Sequence, residues 1–234
     1  PKLFGSVSTL TTALPSDSIH VLKESTSGFW LGTENGLTLI DRKLQVERTY
    51  NDLTVPRLSD PTVMAIEPDE TGLWIGTFSG GLNRISFDDS ATKVYRSDQG
   101  DPTSLGANGV TSLLRTRENT LLVGTYGGGL NVFDPNTETF KRHLPSDSSD
   151  SITSDKVLAI FQCSLGNIYI GTESGLNIFD EESGKFTQIR ADPDNAASLV
   201  SDFIWSFFED TDGDLWIASY RGGISKWAKE ARSK

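Results

Sequence analysis

The sequence is poor in the residues that build catalytic and metal centres. Its 234 residues include one cysteine, one methionine and two histidines. Cys163 alone can form neither a disulfide within the chain nor a metal site, and it is expected as a small buried residue of a strand. His20 and His143 are more than a hundred residues apart. We therefore expect no enzymatic activity, no cofactor and no metal site.

Positive charge and long apolar runs are also scarce. The 32 acidic residues exceed the 21 lysines and arginines and give a net charge of −11, so the phosphate backbone of a nucleic acid would be repelled. No apolar run is long enough to cross a bilayer, and the first residues lack the charged and then apolar pattern of a signal peptide. The start at Pro1-Lys2 without a methionine leads us to expect a part excised from a larger protein.

What the sequence does contain is a repeat. Five segments share one pattern, namely FWLGTENGLTLID at 29–41, LWIGTFSGGLNRISFD at 73–88, LLVGTYGGGLNVFD at 121–134, IYIGTESGLNIFD at 168–180 and LWIASYRGGISKW at 215–227. Their anchor residues Gly32, Gly76, Gly124, Gly171 and Ala218 lie 44, 48, 47 and 47 residues apart. This period is typical of four-stranded propeller blades. The sequence predicts an all-β fold, a β-propeller of five four-stranded blades of about 47 residues, as a single domain over 1–234.

The fourth repeat shows how one blade is expected to form. Val157–Phe161 is an almost wholly apolar run and predicts the inner strand A, packed between two neighbouring blades. Strands B, C and D follow at Ile168–Thr172, Leu176–Asp180 and Lys185–Arg190, separated by turns. Hydrophobicity is expected to fall from strand A outward to strand D. The other A strands are predicted at Ile19–Leu22, Val63–Ile66, Val110–Leu114 and Ile204–Phe208.

The fifth repeat ends after its strand C, at Trp227-Ala228. Lys2–Thr9, at the start of the chain, is predicted as a spare strand before the first strand A. We expect this segment to pair antiparallel with Gly223–Trp227 as the missing strand D, because that pairing would remove the open edges of the sheet series.

The pattern W-I-G-T-x-x-G-G-L-x-x-F-D resembles the two-component regulator propeller repeat. The matching positions are Trp30, Trp74 and Trp216 in strand B, Gly-Thr at 32–33, 76–77, 124–125 and 171–172, Gly-Gly at 80–81, 128–129 and 222–223, and Asp at 41, 88, 134 and 180. The resemblance implies the extracytoplasmic sensing region of a membrane-anchored histidine kinase, hybrid two-component protein or diguanylate cyclase. It also implies a dimeric parent protein and a periplasmic or extracytoplasmic location.

Ligand contacts are expected where the repeats differ. The B–C turns and D–A loops share one end of each blade, and the B–C turns carry Phe78, Tyr126, Tyr220 and Arg221. Such rings beside an arginine predict stacking on a small polar ligand such as a carbohydrate. Two D–A carboxylates, those of Asp155 and Asp202, are predicted to add polar contacts. Two alternatives remain open, because the rings could pack against the next blade and the carboxylates could cap turns.

Asp210–Asp214 (DTDGD) carries carboxylates at alternate positions, like the start of a calcium loop. Leu215 and Arg221 occupy the places where such a loop needs glycine and glutamate. The sequence therefore favours an Asp-Gly hairpin turn between strands A and B.

The strand-B tryptophans are interpreted as buried fold residues. The threonines after the strand-B glycines are interpreted in the same way, because the branched side chain of threonine suits a packed strand.

Three functions fit the sequence to different degrees. The favoured one is a non-catalytic sensor that binds a small ligand and signals to a kinase or cyclase module absent from the sequence. The alternative is a protein-interaction or dimerisation platform that uses the acidic faces and binds no small molecule. An enzyme is the third, because streptogramin lyases also have a tryptophan-and-glycine blade repeat, but the scarcity of histidine argues against it.

Overall fold

The structure is a computed structural model that describes residues 14–232, except positions 52, 55, 89–91 and 196. The predicted strand Lys2–Thr9 lies outside the described residues. Within them, nineteen antiparallel strands form five sheets, and one short helix, α1, spans Lys229–Arg232. No helix of the described part is long and apolar enough to cross a membrane.

The chain divides into two compact units, one comprising Pro1–Arg96 with Asn108–Val110 and the other Ser97–Ala107 with Thr111–Lys234. The first unit holds two sheets. Blade 1 consists of β1 Ile19–Glu24, β2 Gly28–Thr33, β3 Gly36–Asp41 and β4 Val46–Tyr50. Blade 2 consists of β5 Val63–Asp69, β6 Gly72–Thr77, β7 Leu82–Ser86 and β8 Thr92–Tyr95.

The second unit holds the remaining sheets, apart from the first residue of β9. Blade 3 consists of β9 Val110–Arg115, β10 Leu121–Thr125, β11 Leu130–Asp134 and β12 Thr139–His143. Blade 4 consists of β13 Val157–Gln162, β14 Ile168–Thr172, β15 Gly175–Asp180 and β16 Lys185–Ile189. Blade 5 consists of β17 Ile204–Glu209, β18 Leu215–Ser219 and β19 Gly223–Trp227.

Each sheet pairs its strands in chain order, which is the blade topology predicted from the repeat. In blade 4 the observed strand B coincides with the predicted one, and strands A, C and D differ from prediction by one residue each. The sheet of blade 5 has three strands among the described residues.

Burial is highest in strands B and C, not in strand A as expected from its apolar sequence. Every residue of β6, β10 and β14 is buried, whereas β13 buries only Val157 and Ile160. The reason is position, because B and C are central strands of their sheets and strand A lies at an edge. Cys163 is buried as predicted, but it lies just after β13 and not within the strand in which it was expected.

The strand-B glycines mark close contacts between consecutive blades, as predicted. A Cβ atom on Gly124 would lie 2.6 Å from Val157 Cγ1 of the next strand A. On Gly171 it would lie 2.7 Å from Ile204 Cγ2. In the first unit the same relation joins Gly32 to Val63 and Gly76 to Val110. The repeat therefore keeps glycine here because the next blade occupies the space of a side chain.

Candidate functional site in blade 5

Buried threonines hold the B–C turns in a fixed shape. Each donates its hydroxyl to a carbonyl across the turn, in the pairs Thr33–Gly36 at 3.0 Å, Thr77–Gly81 at 2.9 Å, Thr125–Gly129 at 3.0 Å and Thr172–Gly175 at 3.0 Å. All four side chains are fully buried. These contacts fit the interpretation of the threonines as structural residues. The branched side chain packs in the strand, and the hydroxyl also holds the turn.

Buried asparagines in strand C hold the D–A loops beside those turns. Their Oδ1 atoms accept hydrogen bonds from loop amides, in the pairs Asn83–Ser59 at 2.9 Å, Asn131–Gly106 at 2.8 Å and Asn177–Thr153 at 2.9 Å. This role was not predicted from the sequence, although Gly-Leu-Asn recurs in the three repeats concerned. Turns and loops at this end of the blades are thus fixed before any ligand arrives, which lowers the cost of ordering a site.

Three aromatic rings and a guanidinium gather at this end of blade 5. The ring centroids of Phe203 and Tyr220 are 5.1 Å apart, and those of Trp205 and Tyr220 are 6.0 Å apart. Phe203 and Trp205 are nearly parallel, at 20° and 6.2 Å. The guanidinium carbon of Arg221 lies 5.1 Å from the centroid of the Tyr220 ring. Trp205, Tyr220 and Arg221 are exposed. We call these four residues the blade-5 aromatic group.

Local backbone features hold the blade-5 aromatic group in place. Trp205 is the extra residue of a bulge in β17, where the pairing with β18 shifts between Ile204 and Ser206, and bulges redirect side chains. The Tyr220 amide donates to the Phe203 carbonyl at 2.9 Å and ties the B–C turn to the start of strand A. Arg221 has a φ of +57°, a conformation uncommon outside glycine and found often at functional sites.

Asp202, predicted as a polar contact, directly precedes the blade-5 aromatic group. Its Oδ1 accepts a hydrogen bond of 2.6 Å from the amide of Ala191 in the D–A loop. The side chain is half-buried. The carboxylate of Asp202 therefore bonds the backbone of its own loop, which was one of the two alternatives left open by the sequence.

Tyr126 occupies the same turn position in blade 3 but has partners in blade 4. Its hydroxyl donates to Glu173 Oε1 at 2.6 Å, and Lys156 Nζ lies 5.1 Å from its ring centroid. Lys156 and Glu173 also form an ion pair of 2.8 Å. The ring therefore packs against the next blade, which was one of the two alternatives. Nearby, the backbone carbonyl of Asp155 accepts hydrogen bonds from the amides of Gly127 and Gly129.

Charge at this junction between blades 3 and 4 is balanced. Burial alone would raise the pKa of Glu173, but hydrogen bonds from Lys156 and Tyr126 hold the pKa below its ordinary value. The hydrogen bond to Glu173 raises the pKa of Lys156. Glu173 and Lys156 therefore stay charged at neutral pH, and their contacts with Tyr126 join blades 3 and 4.

Phe78 lies on the B–C turn of blade 2, in the first unit, with its side chain exposed. Its amide donates to the Thr62 carbonyl at 3.0 Å.

The structure thus brings Tyr220, Arg221 and Asp202 of the six predicted site residues into one place. Phe203 and Trp205 were missed, and the signal that could have found them was the dense aromatic run FIWSFF at 203–208.

The DTDGD segment forms the hairpin turn that its sequence favoured. Asp210 Oδ1 accepts hydrogen bonds from the amides of Asp212 and Asp214, and Gly213 has a φ of +83°. Asp210 Oδ2 accepts a 2.7 Å hydrogen bond from the Trp216 indole, which lowers the pKa of that carboxyl. Protein donors therefore use both oxygens of Asp210. Across the described residues, no group of three His, Cys, Asp or Glu side chains is placed to hold a metal ion.

The two histidines lie in different units. His20 is exposed on β1. His143 packs edge-on against Phe179 and Phe186, with centroids 5.3 and 5.5 Å away, and burial lowers its pKa. Its surroundings are those of a packed ring.

A cleft of about 500 Å³ with polar and apolar lining lies at the opposite end of blades 3 and 4, where the A–B and C–D turns emerge. Arg117 lines it and donates to the carbonyls of Cys163 and Ser164. The acidic lining residues are Glu118, Asp180, Glu181 and Glu182. Backbone carbonyls use the arginine, and the remaining charged side chains of the cleft are these four carboxylates, so the cleft is a weaker candidate than the blade-5 aromatic group.

A family model for the two component regulator propeller matches residues 198–221. The matched segment runs from the D–A loop of blade 5 through β17 and β18 to Arg221. Over these residues the chain is similar to the two-component regulator propeller repeat. The resemblance predicted from the sequence is thereby confirmed, and the matched segment contains the whole blade-5 aromatic group. A search of curated proteins finds no significant match.

Solved structures with the same fold include extracellular domains of signalling proteins. The extracellular domain of a one component system from B. thetaiotaomicron is similar with a TM-score of 0.71 and 21% identity, over 89% of this chain and 27% of that chain. The extracellular domain of a hybrid two component system from the same organism has a TM-score of 0.60 and 23% identity, over 93% and 34%. The chain therefore covers only 27% and 34% of the length of these two extracellular domains.

An enzyme shares the fold as well. Virginiamycin B lyase from Staphylococcus aureus is similar with a TM-score of 0.61 and 14% identity, over 90% of this chain and 70% of that chain. At these identities the likenesses establish architecture alone. The predicted fold class, a β-propeller with five blades, is confirmed.

Proposed function

We propose that this propeller is the non-catalytic, extracytoplasmic sensing part of a bacterial signal-transduction protein. In this proposal it binds a small polar ligand of the saccharide class at the blade-5 aromatic group. The observation that carries the proposal is the clustering of three rings and a guanidinium at a preformed loop end. The family match over the same segment supports it, as does the likeness to extracellular domains of signalling proteins.

The chemistry of the blade-5 aromatic group suits a sugar ring. A pyranose has apolar C–H faces that pack on aromatic rings and an edge of hydroxyls that need hydrogen bonds. Trp205 and Tyr220 offer exposed ring surface, together with an indole N–H and a phenol hydroxyl. Arg221 adds a fork of N–H donors suited to vicinal hydroxyls or to a carboxylate on the sugar.

The remaining predicted contacts take different places in the proposal. Phe78 and Asp155 stay as proposed ligand contacts. Tyr126 would have to leave Glu173 before its hydroxyl could bind a ligand, so we propose it as a residue that fixes the loop end. Membrane anchoring, a dimeric parent protein, a periplasmic location and a kinase or cyclase output module are proposed from the family.

A carbohydrate screen by thermal shift tests the proposal, because a ligand that binds only the folded protein raises its melting temperature. Binding of any hit would be measured by calorimetry on Trp205→Ala and Tyr220→Ala. We expect each to weaken binding at least about tenfold, with melting temperatures within a few degrees of wild type. Phe87→Ala, at an exposed ring of the first unit, is the matched control and should bind normally. The proposal fails if no saccharide binds, or if the Trp205→Ala/Tyr220→Ala double variant folds and binds like wild type.

The alternative function, a protein-interaction platform without a small ligand, is favoured by one observation. Blade 5 exposes a large apolar area on its sheet in addition to the blade-5 aromatic group. In the same screen, absence of any saccharide binding together with self-association of the protein would support this alternative.

A further inference from the structure

A second pocket lies between the fourth strands of blades 3 and 4. It has a volume of about 260 Å³ and is bounded by strand β12, the start of strand β16 and the loop at 144–151. Its lining includes His143, Ser146, Asp150, Gly184 and Lys185, and we call it the outer pocket. These residues all belong to the second unit, and none of them is part of the blade-5 aromatic group.

The outer pocket has room beside strand β12 because residue 184 lacks a side chain. Gly184 closes the turn before β16, where its φ of +72° favours glycine. A Cβ atom on Gly184 would lie 3.2 Å from His143 Cε1 and 3.3 Å from Lys141 Nζ. Lys141 and His143 lie on the same side of β12, because side chains alternate along a strand. The imidazole and the ammonium group therefore reach the same point of the pocket.

The polar atoms at this point are unused. Among the residues that the structure describes, neither the imidazole of His143 nor the ammonium group of Lys141 has a hydrogen bond or an ion pair. The ring of His143 packs edge-on against Phe179 and Phe186. Its Cε1 atom, which lies between the two ring nitrogens, faces the space beside Gly184. A ligand in the outer pocket would therefore meet an ammonium group and an imidazole that have no other polar partner in this part of the chain.

The loop at 144–151 adds hydroxyl groups whose positions are fixed by hydrogen bonds. Ser151 Oγ donates to the carbonyls of Ser146 and Ser148 at 3.1 and 2.8 Å. Gln188 Nε2 of β16 donates to the Ser151 carbonyl at 2.8 Å. Ser146 Oγ accepts a hydrogen bond of 3.2 Å from the Ser148 amide, which leaves its own proton to donate. The wall opposite β12 is thus preformed and offers a hydroxyl donor.

Positive charge exceeds negative charge at the outer pocket, although the chain as a whole carries a net charge of −11. Lys141 and Lys185 face one carboxylate of the lining, that of Asp150. Hydrogen bonds from Ser148 and Lys185 hold the pKa of Asp150 below its ordinary value, so this carboxylate is charged at neutral pH. Its oxygens are bound by Ser148 Oγ and, at 3.0 Å, by Lys185 Nζ. The charge of Lys141 therefore remains uncompensated.

We propose that the outer pocket binds a tetrahedral oxyanion, a sulfate or phosphate group. Lys141, His143 and Ser146 supply donors, and Lys185 has two further N–H groups beyond the one that Asp150 accepts. An oxyanion offers several acceptors and a negative charge, which matches a pocket whose unused groups are mainly donors. The volume of 260 Å³ lies just below the usual range of about 300–1,000 Å³ for ligand pockets, so the ligand is small. The inference does not depend on saccharide binding in blade 5.

Titration of the 234-residue protein with sodium sulfate or inorganic phosphate, followed by NMR of the histidine rings, tests the inference. The chain has two histidines, so His20→Gln identifies the signals of His143. We expect these signals to shift with either ion and to saturate. Sodium chloride at the same ionic strength should shift them less. The signals of His20, which is exposed on β1, should not respond.

The protonation of His143 gives a second measurement. Burial and the charge of Lys141 lower the pKa of this imidazole. A bound sulfate brings negative charge beside the ring, which favours the protonated form and raises its pKa. The other charged groups that line the pocket, Arg142, Lys185 and Asp150, keep their charges in this pH range. Sulfate, which stays divalent, should therefore bind more tightly as the pH falls through the pKa of His143.

Three variants separate the site from nonspecific charge effects, with binding measured by calorimetry. Lys141→Gln should weaken sulfate binding at least about tenfold, because a charged donor is lost. His143→Phe keeps a ring against Phe179 and Phe186 but removes the nitrogens, and it should weaken binding as well. Lys43→Gln, at an exposed lysine of the first unit, is the matched control and should bind like wild type. Circular dichroism verifies that each variant is folded.

Glucose 6-sulfate and glucose 6-phosphate distinguish the sources of the oxyanion. An ester that binds more tightly than its inorganic ion identifies a group carried on a small ligand, and otherwise the free ion is the ligand. Shifts of the His143 signals no larger than those with sodium chloride, or sulfate binding unchanged by both Lys141→Gln and His143→Phe, would overturn the inference. Trp205→Ala should leave sulfate binding unchanged, so failure here is separate from failure of the proposed function.

Discussion

The substitution Gly171→Ala tests why the repeat has glycine at this position of strand B, because it adds a single carbon atom there. Gly171 is in strand B of blade 4, and its φ is not in the positive region. An alanine could therefore adopt the same backbone conformation. The added Cβ would lie 2.7 Å from Ile204 Cγ2 and 3.0 Å from the Ile204 carbonyl oxygen. Real Cβ atoms do not approach this closely, so either β14 or β17 must move.

Two effects of opposite sign determine the expected change in the free energy of unfolding. Overpacking of a filled core costs about 1–3 kcal/mol, and the upper part of this range applies because one of the contacted atoms belongs to the backbone. Replacing glycine by alanine also reduces the freedom of the unfolded chain, which stabilises by about 0.4–1 kcal/mol. The net expectation is a loss of about 1–2 kcal/mol in the free energy of unfolding.

Denaturant unfolding measures the difference, and the fifth repeat offers a matched control. Ala218→Gly should also destabilise, by less than about 1 kcal/mol, through chain entropy alone. In the Gly171→Ala background, Ile204→Ala should cost less than it does in wild type, because it removes the Cγ2 atom that the new methyl meets. If Gly171→Ala stabilised the protein by the entropic amount, the clash with blade 5 would be absent and the reasoning refuted.

Three further predictions concern polar contacts. Asn131→Ala should lower the free energy of unfolding by about 1–3 kcal/mol in denaturant, because it removes the acceptor of the half-buried Gly106 amide and the buried side-chain amide that donates to the Val123 and Gly128 carbonyls. Asp69 has a pKa lowered to about 2 against an ordinary value of 3.8, since hydrogen bonds from Arg84 and Thr71 outweigh burial. Its stabilisation, about 1 kcal/mol after allowance for solvent screening, should be present above pH 3.8 and be lost as the pH falls toward 2, so that Asp69→Asn gives a flatter acid unfolding curve. Tyr126→Phe should raise the pKa of the Glu173 carboxyl, measurable by NMR titration, because one of the hydrogen bonds that lower it is removed.

The strands could be predicted from the sequence because one blade repeats nearly the same pattern five times. Period-two alternation, turn residues and glycine positions all identify the same boundaries in each repeat. Burial could not be predicted in the same way. LWIAS in blade 5 and LWIGT in blade 2 are almost the same strand, yet Trp216 is exposed and Trp74 is buried. The difference lies in what covers the sheet, which the local sequence does not encode.

The candidate site shows the same dependence on neighbours. Tyr126 and Tyr220 occupy one repeat position, and the sequence gives no reason to treat them differently. In blade 3, Lys156 and Glu173 of the following blade hold the phenol of Tyr126. In blade 5, the ring of Tyr220 is surrounded instead by residues of its own blade, Phe203, Trp205 and Arg221. A repeated tyrosine thus joins blades in one place and presents a ring surface in another, because its partners, not its position in the repeat, determine what it can bind.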